Sequence, residues 1–362
     1  MPYASRKFRA IHGALFFTAI ALSACGGGSG TPPPIIVPPS SRFLAVTANA
    51  PSEPPGDANA ALDLVYNTGS RGQYLFFTWR DLEPAAEAYD FADLDGLVQW
   101  VTSWGFQRIL VTIAPINSFP KETPPDLLDV PFNDAVMKAR FHALLDAVRS
   151  HLPASVAYLS IGNEVDLRMA LNPDEWQPYS EFYADAVSYA HQIMPARKIG
   201  VTVTFDGAMG AEAANVSSLI APSDILVFTY YPLGAELHPR PPTSPSVDFP
   251  RMRSLAGTRP VVLQEVGFPS STQLASSETL QAEFVTNVFQ TWNTTAPQMP
   301  FVNFFLLHDF SQSACDQFVA YYGFPADENL KAFLCSIGLR HVNGTPKTAW
   351  QAFVDGAARM NP

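Results

Sequence analysis

Apolar residues follow two rhythms along most of the chain. Short continuous runs rich in Val, Ile, Leu and Phe alternate with longer stretches whose apolar positions recur every three or four residues. Continuous runs of this length suit strands buried on both faces, and the longer rhythm suits helices with one apolar stripe. The runs predict eight strands: Phe43–Ala48, Tyr74–Thr78, Arg108–Ala114, Val156–Gly162, Lys198–Thr204, Ile225–Thr229, Pro260–Gln264 and Val302–Leu307. Between them, Leu280, Phe284, Val285, Val288, Phe289 and Trp292 make one helical stripe, with Ser276 or Ser277 as its cap. Residues 132–152 and 176–194 are spaced similarly, and 94–104 is a shorter case stopped by Gly105. This alternation predicts an α/β fold, a single (β/α)8 TIM barrel. An open doubly wound sheet is the alternative, weakened because no glycine-rich dinucleotide fingerprint follows the first strand.

The beginning of the chain breaks the pattern. Arg6, Lys7 and Arg9 precede a short apolar stretch from Ile11 to Leu22, which ends in Leu22-Ser23-Ala24-Cys25. A basic start, a short apolar centre and small residues before a cysteine resemble a bacterial lipobox, with Cys25 as the lipidated residue. An ordinary secretory signal with a chance cysteine is the plainer alternative. The expected organisation is a lipoprotein signal peptide over 1–24, the lipidated Cys and a Gly/Pro-rich linker over 25–42, and a barrel domain over 43–362. The linker, GGGSGTPPPIIVPPSSR after Cys25, mixes slack and extended residues, as a tether would. The expected location is the cell envelope, in the periplasm or on the outer membrane surface, with the membrane as partner through the lipid anchor.

Composition narrows the chemistry. The chain has 362 residues, 47% of them hydrophobic, enough for a large core. Its formal charge is −11, and the leader carries no acidic residue, so the remainder is more acidic still. Nucleic-acid binding needs Lys and Arg against phosphates and is not expected. A neutral substrate such as a plain polysaccharide suits this charge. Cys315 and Cys335 are expected to form a disulfide in an exported protein, against the alternative of two buried thiols. No Cys-x-x-Cys or His/Cys cluster occurs, so neither a metal nor a cofactor is expected.

Barrel chemistry sits at the carboxyl ends of the strands. Those ends read Phe77-Thr78-Trp79-Arg80, Ile161-Gly162-Asn163-Glu164, Thr229-Tyr230-Tyr231-Pro232, Leu263-Gln264-Glu265-Val266 and Leu307-His308-Asp309. Glu164 and Glu265 therefore close predicted strands four and seven on one rim. Either alone could be satisfied by an arginine or a helix N-terminus. Two together suit glycoside hydrolysis, in which one carboxyl donates a proton and the other, about 5 Å away, attacks the anomeric carbon. Their mutual repulsion would raise one pKa.

With these positions in place, the sequence resembles the retaining TIM-barrel glycosidases of glycoside hydrolase clan A. Their acid/base Glu follows an Asn at the end of strand four, here Asn163-Glu164, and their nucleophile Glu ends strand seven, here Glu265. The motifs YLSIGNEV, FTYYPLG and VVLQEVGFPS are similar to those of family 17 β-1,3-glucanases and family 53 β-1,4-galactanases. The sequence departs from family 17 at Gln264, where a small residue is usual, and at Phe268, where Trp or Tyr is usual. WRDLEPAAEAYDFADLDGLVQW looks more like families 5, 39 or 42, and strand eight ends in His308-Asp309 without the Trp common in the clan. LRHVNGTPKTAWQAF resembles the closing segment of several clan A families, with Asn343-Gly344 as its turn.

The resemblance implies Glu164 as acid/base, Glu265 as nucleophile and Asn163 as the partner of a sugar 2-OH. It implies that Tyr231 donates to Glu265, against a core role. Only one of Tyr230 and Tyr231 can point inward. Arg80 could bond to Glu265 or form a rim ion pair. Trp79, Trp176 and Phe268 are candidate sugar platforms, with simple packing as the alternative. His308 is a candidate substrate contact or a satisfied rim histidine. The expected activity is retaining, endo-acting hydrolysis of a β-linked glycan by a monomer. A transglycosylase on the same site and a catalytically silent glycan-binding lipoprotein are the alternatives.

Overall fold

The computed structural model describes residues 42–295 and 297–360. The expected signal peptide, Cys25 and nearly all of the expected linker lie outside the described residues. Eight strands run in order: β1 (Phe43–Val46), β2 (Gly72–Thr78), β3 (Arg108–Asn117), β4 (Val156–Asn163), β5 (in two segments, Lys198–Gly200 and Thr202–Thr204), β6 (Leu226–Tyr230), β7 (Val261–Val266) and β8 (Phe301–Phe304). Every pairing is parallel. One sheet runs β2–β3–β4 to the first segment of β5, the other from the second segment of β5 through β6, β7 and β8 to β1. At the seam between β1 and β2, the Arg71 amide donates to the Leu44 carbonyl at 3.1 Å. The fold is a single (β/α)8 TIM barrel, the architecture its apolar rhythm predicts.

Inside the barrel, Phe43, Ala45, Tyr74, Leu110, Tyr158, Ile225, Val227, Val262 and Phe301 pack into one buried cluster. Alternation along each strand sends the other residues outward against the helices. The predicted stripe lies on the helix Glu278–Thr295, where Phe284, Val285, Val288, Phe289 and Trp292 are buried. Its Phe289 meets Phe304 of β8 and Phe353 of the helix Thr348–Met360 at centroid distances of 5.4 and 5.6 Å. Each such fully buried ring contributes about 1.5–3 kcal/mol. Ser277 provides the expected cap, accepting from the Leu280 amide.

Strand limits differ most from the sequence reading at β3 and β8. β3 continues to Asn117, because bulges let it keep pairing with β4 as far as Asn163. β8 stops at Phe304 instead of Leu307. Beyond it, Phe305 and Leu307 still donate to Val266 and Thr47, but outside the regular ladder. Cys315 and Cys335 are joined in a disulfide that links the helix Gln312–Tyr321 to the end of the helix Glu328–Leu334. No described helix is long and apolar enough to cross a membrane.

Candidate active site

The end of β4 turns sharply. Gly162 has a φ of +95°, and a Cβ there would run into the Tyr179 hydroxyl, which donates to the Ile161 carbonyl. Glu164 itself is left-handed, with φ 45° and ψ 42°, at the N-cap of the helix Val165–Leu171. A non-glycine residue is held there only when its surroundings over-determine it. Both oxygens of the Glu164 carboxylate are held: the Ser118 hydroxyl donates at 2.6 Å and the Thr229 hydroxyl at 2.7 Å. Ser118 is also left-handed, at φ 55°.

Glu265 reaches the same place through a bulge in β7. Phe228 pairs with Leu263, but Thr229 pairs with Glu265, so Gln264 is an extra residue on β7. A bulge re-aims side chains that strict alternation would send to opposite faces. Gln264 therefore points into the barrel interior and Glu265 still faces the mouth. The Tyr231 hydroxyl donates to Glu265 at 2.6 Å. Gly267 leaves room for that ring, since a Cβ there would sit 2.6 Å from Tyr231 Cε1. Tyr230 points the other way and donates to buried Asp248 at 2.8 Å.

Burial raises the pKa of both glutamates. For Glu265 the Glu164 charge is the second cause, and together they push it up to about 8 against the hydrogen bonds from Tyr231 and Gln264. For Glu164, burial acts against the bonds from Ser118 and Thr229. Two repelling carboxyls titrate as a unit, so the value near 8 marks loss of the pair's last proton. The pair therefore holds a proton well above the ordinary carboxylate range. The Ser118 and Thr229 hydroxyls beside Glu164, like the Tyr231 hydroxyl beside Glu265, can turn to accept from a protonated carboxyl, whereas the Gln264 amide N–H beside Glu265 can only donate.

That amide is fixed from behind. Gln264 Oε1 accepts from Thr112 at 2.7 Å and Thr202 at 2.6 Å. Its Nε2 donates to Asn163 Oδ1 at 2.7 Å and to Glu265 Oε1 at 3.4 Å. The chain of bonds continues from Asn163 to Asn117 at 2.9 Å, from Asn117 to the Tyr321 hydroxyl at 3.0 Å, and from Tyr321 to Glu122 at 2.6 Å. Asn163 keeps a second N–H on Nδ2 beyond the one given to Asn117.

Several sequence-derived candidates lie elsewhere. Thr78 caps a short helix, Trp79–Leu82, with a reciprocal bond to Asp81, and that turn carries Trp79 into the core. Trp79 is 0% exposed. It packs against Phe141 and Phe182 and donates to Glu83. It is a core residue and not a sugar platform. Arg80 pairs with Glu122 at 3.3 Å instead of Glu265, the rim alternative. Phe268 is 1% exposed and stacks on Phe284, and Trp176 is 8% exposed at the start of its helix, so neither presents a face. His308 is buried, with Nδ1 against the Asn49 carbonyl at 2.7 Å and Nε2 accepting from Arg340 at 3.2 Å. Both ring nitrogens are used, so it is a satisfied histidine and not a substrate contact.

The sequence reading missed Ser118, Thr229, Asn117 and Tyr321. Thr229 was within reach, because strand alternation places it on the same face as Tyr231. Ser118 and Tyr321 carry no such signal, since long-range folding alone brings them to the rim. The reading also missed Asp166, two residues past Glu164. It accepts from the Thr204 amide and hydroxyl, and burial pushes it up to about 7. Among the described residues, no group of three or more His, Cys, Asp or Glu side chains is arranged to hold a metal ion.

No protein-family model matches the sequence, and no curated protein matches it. Solved structures do. A variant of the GH5_18 protein from Streptomyces cattleya, in complex with Manb1-4GlcNAc, superposes with a TM-score of 0.70 at 17% identity, over 88% of this chain and 81% of its own. The exo-β-1,4-mannosidase Op5Man5 from Opitutaceae bacterium strain TAV5 gives 0.68 at 17% identity, over 88% of this chain, which spans only 59% of that longer protein. A family 39 glycoside hydrolase from Bacteroides cellulosilyticus WH2 gives 0.58 at 17% identity, over 88% of this chain and 64% of its own. At this identity the likeness is one of fold, and the barrel is what this chain shares with these glycoside hydrolases.

Proposed function

We propose that the protein is a retaining glycoside hydrolase acting on a β-linked glycan. The observation that carries the reading is the pair of half-buried, mutually repelling carboxyls at the ends of β4 and β7, one held by hydroxyls and the other by Tyr231 and Gln264. Glu265, ionised, attacks the anomeric carbon while Glu164 gives its proton to the departing glycosidic oxygen. Water then gives a proton back to Glu164 and its oxygen to the anomeric carbon, which frees Glu265. In this reading the second N–H of Asn163 bonds the 2-OH. The shared fold with a β-1,4-mannosidase and with a protein that binds Manb1-4GlcNAc supports a β-linked substrate. So do the motifs similar to family 17 and family 53 and the stretch from Trp79 that is similar to families 5 and 39. The test is to screen the purified protein on β-1,3-glucan, β-1,4-galactan, mannan, xylan, cellulose and Manβ1-4GlcNAc. Turnover that disappears in Glu265→Gln supports the reading, and no turnover on any of them counts against it.

A pH profile follows from the pair. The active form carries one proton, so kcat/KM should be bell-shaped. It should fall as pH rises through about 8, where the last proton leaves, and fall again in acid as the second carboxyl protonates. A rate still climbing above that value would remove Glu164 as proton donor.

We further propose that the protein is a monomer tethered to the cell envelope through a lipid on Cys25. The motif Leu22-Ser23-Ala24-Cys25 and the linker behind it support this. Cys25→Ser should move the protein from the membrane fraction to the soluble fraction and remove the lipid mass from its N-terminal peptide. An unchanged membrane fraction would rule the anchor out.

A further inference from the structure

Internal attack on a polymer, the mode expected from sequence, needs a cleft open at both ends. The segment that follows β8 argues otherwise. It leaves the barrel at Asp309 and returns at Gly338, and its two ends are stitched together. The Asp309 amide donates to the Arg340 carbonyl at 2.9 Å, Leu339 donates to Leu306 at 2.9 Å, and Gly338 donates to the Asp309 carboxylate at 2.8 Å. Between these points lie the disulfide-linked helices Gln312–Tyr321 and Glu328–Leu334.

This strap reaches far around the rim. On one side it meets the segment after β3, three places away in the ring. There Tyr321 bonds Asn117 and Glu122, and Phe119 packs edge-on against Tyr322 and Phe324 at 6.0 and 4.9 Å. On the other side it meets the segments after β7 and β6. Gln273 donates to the Glu328 carbonyl at 3.0 Å, Asn329 donates to the Glu236 carbonyl at 3.1 Å, and Phe333 packs edge-on against Tyr231 at 5.1 Å. The ring of Tyr231 is thus gripped by the strap while its hydroxyl holds Glu265. Tyr322 lies close enough to feel the charges of both Glu164 and Glu265. The strap, itself the segment after β8, therefore touches the segments after β3, β6 and β7, and none of these contacts involves the segments after β4 and β5.

We infer that the strap Asp309–Gly338 closes one side of the site, so that it takes the terminal sugar of a β-linked glycan and not an internal stretch. A bound chain has one way out, and the sugar beyond the cleaved bond ends against the wall of Phe119, Tyr322 and Phe324. This rests on the glycosidase reading above.

The experiment follows products over time from the wild-type protein on β-1,4-mannohexaose and β-1,3-glucohexaose, each reduced at its reducing end, with 4-nitrophenyl β-glycosides in parallel. Stepwise release of monosaccharide, with the next-shorter oligomer appearing first, is the expected result. A polymer substrate should gain reducing ends with little loss of viscosity. Early accumulation of mid-length oligomers would overturn the pocket while leaving the glycosidase standing. No turnover even of the aryl glycosides would sink both. In the double variant Cys315→Ser/Cys335→Ser the strap is loosened but no side chain near the carboxyls is changed. Its share of internal cleavage should rise by about tenfold, the discrimination that a modest pocket contact provides. An unchanged product pattern in a folded double variant counts against the strap. If that variant does not fold, the wild-type product pattern decides.

Discussion

Glu265→Ala is expected to lose turnover by on the order of 10⁴–10⁶-fold on every substrate, the range that loss of a covalent nucleophile costs. Glu164→Ala should behave differently. On an aryl glycoside whose leaving group departs without a proton, the first step survives and the glycosyl-enzyme waits for water. Azide, which needs no base, should then speed turnover and yield a β-glycosyl azide. If azide instead gives the retained β-azide with Glu265→Ala and the inverted α-azide with Glu164→Ala, the two roles are exchanged. Wild-type rates in both variants would place the chemistry elsewhere. The same glutamate should show the opposite sign in stability. Unfolded, each carboxyl titrates near its ordinary 4.5, and in the folded pair the last proton is held up to about 8. The folded state binds more protons between those values, so the stability present below the lower one is lost as pH rises through the upper one. Glu265→Gln removes the buried charge. It should melt higher than wild type, by on the order of several kcal/mol near pH 8, with the gap closing towards pH 5. An inactive variant that is equally or less stable at pH 8 would show that the pair is not strained by burial.

Lys347→Met is expected to destabilise the barrel by about 3–5 kcal/mol, the cost of leaving one partner of a buried ion pair uncompensated. Lys347 is 1% exposed and sits 2.7 Å from Asp309, which is 10% exposed. Burial lowers the Lys347 pKa and raises that of Asp309, and their mutual attraction opposes both shifts. The ammonium also donates to Ser270 at 3.0 Å and to the Ser336 carbonyl at 3.1 Å. It therefore pins together the foot of the strap and the segment after β7. Asp309→Asn/Lys347→Met should recover part of the loss, because no charge is then left unpaired. Denaturant midpoints of the two single variants and the double variant measure this. A Lys347→Met protein within about 0.5 kcal/mol of wild type, the usual effect of a surface change, would make the clamp irrelevant.

The sequence by itself determined the barrel. Eight apolar runs and the helical stripes between them depend on local periodicity, which survives in a linear string. It also placed Asn163, Glu164 and Glu265 at strand ends, because apolar runs that stop on a polar residue are visible without a structure. It carried Tyr231 for the same reason, since alternation leaves one of two adjacent tyrosines facing inward. Side-chain direction at irregular backbone was not legible. A capping turn after Thr78 sends Trp79 into the core and Arg80 to Glu122, which a continued strand could not do. An extra residue at Gln264 lets it and Glu265 both serve the interior, and that bulge exists only in the pairing with β6 and β8. Partners distant in sequence were equally hidden. Ser118 meets Glu164, Thr112 and Thr202 meet Gln264, and Tyr321 meets Asn117 only once the ring has closed. Tertiary structure decided which aromatic rings flank the carboxyls, Tyr231 and Tyr322 and not Trp79, Trp176 or Phe268. The reason is that loops take their course from contacts with other loops, and those contacts have no period along the chain.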